Sequence, residues 1–207
     1  MICVPRGALF GETVDCLEAA GLDVAPLRDI GRRLVADGDG VRYITTRPSD
    51  VGTYVESGAA DGGILGTDVM REYQPDVDEL LYLKYGVCRM IYATVAGEDP
   101  TPDALTHFGA VRVASKYVNA ARRYFAETGR PVEVVKVNGS VALAPLVGLA
   151  DGIVDLTATG RTLVENGLVE REEIFVSSAR LVANRVSHKT KAAQIDTLIA
   201  SLQRAVA

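Results

Sequence analysis

The chain has 207 residues, 48% apolar and 24% charged, with 20 glycines, a composition that excludes disordered and fibrous classes and requires a compact fold. The net charge of -5 argues against a nucleic-acid binder, which needs a surplus of Lys and Arg on one face. Any phosphate site must therefore be local. Cys3, Cys16 and Cys88 are odd in number and far apart, in contexts that read as strand or helix interior. They fit buried, reduced thiols of a cytosolic protein rather than a disulfide framework or a metal cluster. Residues 1 to 10 carry one positive charge and an early Pro5 without an apolar core of signal-peptide length, so no export is expected. No run of about 18 apolar residues occurs, and no membrane span is expected.

Short apolar runs alternate with helical patterns along most of the chain. Ile2 to Val4 reads as a strand, and Phe10, Val14 and Leu17 fall at helical spacing before Gly21 stops them. Val41 to Thr45 is a second strand, and Pro48, Ser49 and Asp50 open a helix through Val51, Tyr54 and Val55. Gly62 to Leu65 is a third strand, with Thr67 as the expected N-cap of the helix beyond it. Leu80 to Leu83 and the β-rich run Val87 to Val95 then interrupt the alternation. Residues 98 to 102 form a polar, proline-bearing break. This reads as a domain crossing.

Alternation resumes with strand Val111 to Ala114, helix Asn119 to Glu127, strand Val132 to Val137, helix Val141 to Leu149, strand Gly152 to Leu156 and helix Arg161 to Asn166. The pattern predicts a mostly parallel α/β sheet. A strand at Ala179 to Ala183 precedes an amphipathic helix over Lys189 to Val206, with Ile195, Leu198, Ile199 and Leu202 on one face. No solenoid-like repeat is visible.

The stretch from Gly152 to Leu163 carries the chemistry. A buried strand ends at Asp155 and Leu156, and a loop of small and hydroxylic residues then opens a helix, so that free N–H groups converge around Thr159, Gly160 and Thr162. That arrangement is a phosphate cradle. Gly160 permits close backbone approach, Thr159 and Thr162 add hydroxyl donors, and the helix dipole favours an anion. Asp155 stands where a carboxylate could accept hydrogen bonds from a ribose diol. On pattern alone, a Thr-Gly-x-Thr turn is often only a capped helix start.

The segments Arg112-Val-Ala-Ser-Lys-Tyr117, Arg122-Arg-Tyr-Phe125, Asn138-Gly-Ser-Val141, Leu143-Ala-Pro-Leu146 and Gly148-Leu-Ala-Asp151 follow one another in an order and spacing that resembles the ATP phosphoribosyltransferase family. The resemblance extends through Asn166-Gly-Leu168, forward to Tyr54-Val-Glu-Ser-Gly-Ala-Ala-Asp61, Gly63-Ile-Leu-Gly66 and Asp68-Val69, and back to Pro5-Arg-Gly7. It covers nearly the whole chain. It implies two α/β domains of periplasmic-binding-protein (type II) architecture with the active site in the interdomain cleft. The expected division is 1–88 plus 181–207 for one domain and 89–180 for the other.

The resemblance further implies that the 5′-phosphate of phosphoribosyl pyrophosphate sits on Ala158, Thr159, Gly160, Arg161 and Thr162, with Asp155 near the ribose hydroxyls. The basic residues of the family's first domain carry over to Arg6, beside Gly7, and to Arg32 and Arg47, for ATP and the departing pyrophosphate. Guanidinium groups hold phosphate oxygens bidentately and stay charged at any working pH. Arg32, Arg47 and Asp155 are the expected catalytic set. No spacing supports a metal site made of side chains, while Mg²⁺ is implied through substrate phosphates.

Two positions depart from the family pattern: Ala8 replaces an arginine and Ala142 an acidic residue. They motivate an alternative reading, a nucleotide- or phosphate-binding regulatory paralogue with weakened turnover. His107, in a polar loop, and His188, before the last helix, are read as structural. The resemblance is to the short form of the family. It implies a cytoplasmic homodimer working with a histidyl-tRNA-synthetase-like regulatory subunit, without its own histidine-sensing domain.

Overall fold

The computed structural model describes residues 1–207 and divides them into two compact units, Met1–Gly86 with Ser178–Ala207, and Val87–Ser177. The first unit begins with β1 (Ile2–Pro5), α1 (Phe10–Ala19), α2 (Ala25–Arg28), β2 (Val35–Gly38), β3 (Val41–Thr46) and α3 (Pro48–Glu56). It continues with β4 (Gly62–Gly66), α4 (Thr67–Tyr73) and β5 (Asp78–Tyr82). The second unit holds β6 (Cys88–Val95), α5 (Thr101–Phe108), β7 (Val111–Ser115), α6 (Val118–Glu127), β8 (Val132–Lys136), α7 (Leu143–Leu146), β9 (Gly152–Thr157), α8 (Arg161–Glu165) and β10 (Leu168–Ser177). The chain then returns to the first unit as β11 (Ala179–Ala183), α9 (Arg185–Thr190) and α10 (Ala192–Ala205).

The first sheet has the order β2-β3-β1-β4-β11-β5 and the second β10-β6-β9-β7-β8. Strands joined through helices pair in parallel, as β1 does with β3 and β4, and β7 with β8 and β9. The remaining neighbours are antiparallel. The sheets are thus mixed rather than mostly parallel. The reason is that β2 and β3 form a hairpin, β6 and β10 run against their neighbours, and β11 comes back reversed between β4 and β5.

Each sheet is buried on both faces. In the first unit Leu17, Leu27, Ile64 and Leu202 pack with α1 and α10 on one side, and Val51, Val55, Leu65 and Val69 with α3 and α4 on the other. In the second, Tyr92, Val113, Phe125 and Val154 lie beneath α5 and α6, while Ile91, Ala114, Ile153 and Leu163 form a thinner core under α7 and α8. Tyr92 meets Phe125 edge-on at 5.3 Å between ring centroids, and its hydroxyl lies 2.8 Å from that of Thr101.

Several local expectations change. Gly66, not Thr67, caps α4, and the Thr67 hydroxyl instead donates to the Ser178 carbonyl at 3.2 Å. The helix expected over Val141 to Leu149 is the single turn α7, because Gly148 takes a φ of +73° and turns the chain. The terminal helix is two helices broken at Lys191, the first capped by Asn184, whose side chain accepts the N–H groups of Val186 and Ser187. His107 is in the last turn of α5 rather than in a loop. His188 lies 2.8 Å from an Asp78 carboxylate oxygen, a contact within the first unit.

Candidate active site

In the second unit β7, β8 and β9 are mutually parallel, so their C-terminal ends share one edge of the sheet, where open α/β folds bind ligands. β9 ends at Thr157, and the chain turns through Ala158, Thr159 and Gly160 into α8. Gly160 caps that helix with a φ of +74°, a conformation that disfavours side chains, and the space where its Cβ would stand is open. Its N–H donates to the Thr157 hydroxyl at 2.9 Å, and its carbonyl accepts from Leu163 and Val164. The N–H groups of Ala158, Thr159 and Thr162 have no partner among the backbone hydrogen bonds of the turn. Those donors and the Thr159 and Thr162 hydroxyls face no partner that would keep an anion from them. α8 has only five residues, so its dipole adds little and the turn's donors carry the argument. The Arg161 side chain is 82% exposed and bonds Glu165 one turn on at 2.7 Å, so the residue joins the turn through its backbone.

Asp155 is partly buried near the end of β9. Burial pushes its carboxyl above the usual range, while the Leu156 N–H, donating at 2.8 Å, and the Lys116 charge act in the opposite direction. Beside it, the buried Ser115 hydroxyl donates to the Val154 carbonyl at 2.7 Å and accepts the Tyr117 N–H at 2.9 Å. Ser115 and Lys116 entered the sequence reading only as part of a matched motif. Their place beside Asp155 depends on the β7–β9 register, which spacing along the chain does not reveal.

In the first unit the same logic applies to β1 and β3, which pair Pro5 with Thr46. Arg6 follows β1 and Arg47 follows β3, so both sit at that edge, with the Arg6 N–H on the Thr46 carbonyl at 2.7 Å. Their side chains differ in employment. Arg6 donates to the Thr45 hydroxyl at 2.9 Å, the Gly31 carbonyl at 3.1 Å and the Arg33 carbonyl, which makes it a strut beneath the loop that carries Arg32. Arg47 is the exposed N-cap of α3, and Arg32 is exposed at the tip of that loop. Neither guanidinium has a hydrogen bond or ion pair within the chain. Gly7 turns the chain at a φ of +87°, and Ala8 beyond it is exposed. Ala142 caps α7 in the second unit.

A cavity of about 210 Å³ in the first unit lies at the opposite end of its sheet, lined by Ile2, Gly62, Ala183, Lys191 and Ile195, away from these arginines. No group of three His, Cys, Asp or Glu side chains is arranged to hold a metal ion. No helix is long and apolar enough to cross a membrane.

The architecture is of the type II periplasmic-binding-protein class. The ArgBP mutant P235GK of Thermotoga maritima shares the fold at a TM-score of 0.60 and 14% identity, over 98% of this chain and 87% of that one. Within that class the chain belongs to the ATP phosphoribosyltransferase family, whose profile, "HisG: ATP phosphoribosyltransferase", matches residues 47–204. The ATP phosphoribosyltransferase of Rubrobacter xylanophilus is 51% identical over 98% of this chain and 94% of its own length. That of Caldanaerobacter subterraneus is 44% identical over 99% and 96%. A solved chain of the ATP phosphoribosyl transferase HisG:HisZ complex from Thermotoga maritima superposes with a TM-score of 0.85 at 33% identity, covering 99% of this chain and 97% of that one.

Proposed function

We propose that the chain joins ATP to phosphoribosyl pyrophosphate, giving N1-(5-phosphoribosyl)-ATP and pyrophosphate, the first step of histidine biosynthesis. Family membership carries the reaction, and the turn after β9 carries its placement in this chain. The 5′-phosphate lies on the N–H groups of Ala158, Thr159 and Thr162, and Asp155 accepts hydrogen bonds from the ribose hydroxyls. Gly160 keeps the turn open to the phosphate.

Adenine N1 attacks the anomeric carbon as the bond to pyrophosphate breaks, and charge builds on the leaving group while the ribose becomes oxocarbenium-like. The protein's tasks are alignment and stabilisation of that charge, not covalent catalysis. Arg32 and Arg47 suit the second task because their guanidinium groups are unspent within the chain. Arg6 holds the Arg32 loop in place, and Gly7 gives the backbone its turn toward ATP. Mg²⁺ arrives on the substrate phosphates. The reading includes a cytoplasmic homodimer that assembles with a regulatory subunit, as HisG does with HisZ in the Thermotoga maritima complex.

Formation of phosphoribosyl-ATP from ATP, phosphoribosyl pyrophosphate and Mg²⁺, followed with and without the regulatory subunit, tests this. Product that appears and depends on Asp155 and Arg47 supports the enzyme. Tight substrate binding with no product under either condition supports the regulatory paralogue suggested by Ala8 and Ala142.

A further inference from the structure

Asp155 is asked to accept hydrogen bonds from sugar hydroxyls, a task its ionised form does best, yet its burial favours the neutral acid. The pairing of β7 with β9 sets a lysine against this difficulty. Ala114 is the register partner of Ile153, and both belong to the core beneath α7 and α8. Side chains alternate along strands, so the next positions on that face are Lys116 and Asp155. The Ser115 hydroxyl fixes the geometry, because it grips the Val154 carbonyl on β9 and the Tyr117 N–H beyond Lys116 at once. Lys116 is exposed, makes no ion pair or hydrogen bond, and rests its ammonium 5.7 Å from the centre of the Tyr117 ring.

We infer that Lys116 is a positioning residue which holds the carboxylate of Asp155 in its charged, hydrogen-bond-accepting form for the ribose hydroxyls. The inference rests on the function proposed above and adds a residue to it. Other charges around Asp155 are committed elsewhere. On β6, Asp155 faces Ile91, and the nearest charged residue, Arg89, is bonded to Glu170 and Glu173. α7 carries no ionisable side chain, and on α8 Arg161 and Glu165 pair with each other. Lys116 is the one charge left to join the Leu156 N–H in opposing the burial.

The test replaces Lys116 by Met and by Arg and reads two quantities. One is the titration of the Asp155 carboxyl carbon by carbon-13 NMR, assigned with Asp155→Asn. The other is the pH profile of kcat/KM for phosphoribosyl pyrophosphate. In Lys116→Met the Asp155 midpoint and the acid limb should both move to higher pH, with a loss of roughly threefold to tenfold at the acid end, as expected for removal of an exposed counter-charge. Lys116→Arg should restore both. A uniform loss of rate with no movement of either midpoint would reduce Lys116 to a structural or direct binding role and overturn the inference. The carbon-13 titration decides the charge coupling even if the wild-type chain makes no phosphoribosyl-ATP, so failure of the enzymatic reading is distinguishable from failure of this one.

Discussion

Arg130 places two guanidinium nitrogens on the two oxygens of Glu172, at 2.6 and 2.9 Å, and so ties the chain just beyond α6 to β10. The same guanidinium stands 4.8 Å from the Phe125 ring centre and 5.3 Å from that of Tyr124, whose hydroxyl also donates to Glu172. One cation thus joins a helix, a strand and two aromatic rings.

Glu172→Gln should therefore lower the unfolding temperature by about 2–4 °C, for a loss of about 1 kcal/mol from a partly buried bidentate pair. The hydrogen bond from Arg130 holds the Glu172 carboxyl below its ordinary range. A folded value below the unfolded one means the stabilisation is complete above the unfolded carboxylate range and is lost as pH falls through the folded value. The wild type should lose this part of its stability on acidification, and Glu172→Gln should lack that component. Thermal denaturation from neutral to acid pH checks both statements, and parallel curves for the two proteins would refute the linkage.

Gly160→Val should weaken phosphoribosyl pyrophosphate binding by about tenfold or more while the protein stays folded. The +74° φ makes a branched side chain costly by about 1–2 kcal/mol, whatever the open space around it, so the turn must shift. Thr162→Ala should weaken binding in the same direction by removing one hydroxyl. Calorimetric titration beside circular dichroism separates affinity from folding. Unchanged affinity in both variants would remove the turn from the site.

Arg47→Ala should reduce kcat by more than it raises KM, since its contact strengthens as charge develops on pyrophosphate. The unpaired guanidinium means that the substitution breaks no bond within the chain, and the unfolding temperature should hold within about 2 °C. A change confined to KM would make Arg47 a ground-state binder only.

Arg6→Met should behave in the opposite way. It removes donors from Thr45, Gly31 and Arg33, and should cost about 1–2 kcal/mol of stability and loosen the loop bearing Arg32. Hydrogen exchange of residues 30–34 would show that loosening. Activity lost with unchanged stability and unchanged exchange would show instead that Arg6 acts on substrate alone.

Where the sequence reading succeeded and where it failed has a physical pattern. β11 falls on Ala179–Ala183 as read, because four of its five residues are apolar and buried in the middle of a sheet. β10 escaped notice. It is an edge strand whose centre is Glu-Arg-Glu-Glu, and register shifts at Glu170/Glu172 and Glu173/Phe175 break the period of two by which strands are recognised. α5 was passed over, its start read as part of the break at 98–102, because Pro100 and Pro102 stand there, where proline is compatible with a helix, and because Phe108 at its end is 80% exposed. At the site, the turn was legible because β9, Gly160 and its hydroxylic neighbours are contiguous. That Arg6 also bonds the loop carrying Arg32 was not legible, because those carbonyls come from residues 25 and 27 positions away, brought to it by folding.

The placement of β11 also governs the order in which the chain can mature as it is synthesised. β11 lies between β4 and β5 and bonds to both, yet it is made only after all of Val87–Ser177. While the ribosome is still short of residue 183, the facing edges of β4 and β5 have no strand between them, and the nascent first sheet is in two pieces. The second unit is continuous in sequence and can close before this gap is filled. Paired edges form late, and the exposed ones are open to misassociation in the meantime. Stalled chains in which a linker long enough to clear the ribosome's exit tunnel follows residue 178 should therefore protect the second unit from protease while leaving residues 1–86 sensitive, and the same linker placed after α10 should close that window.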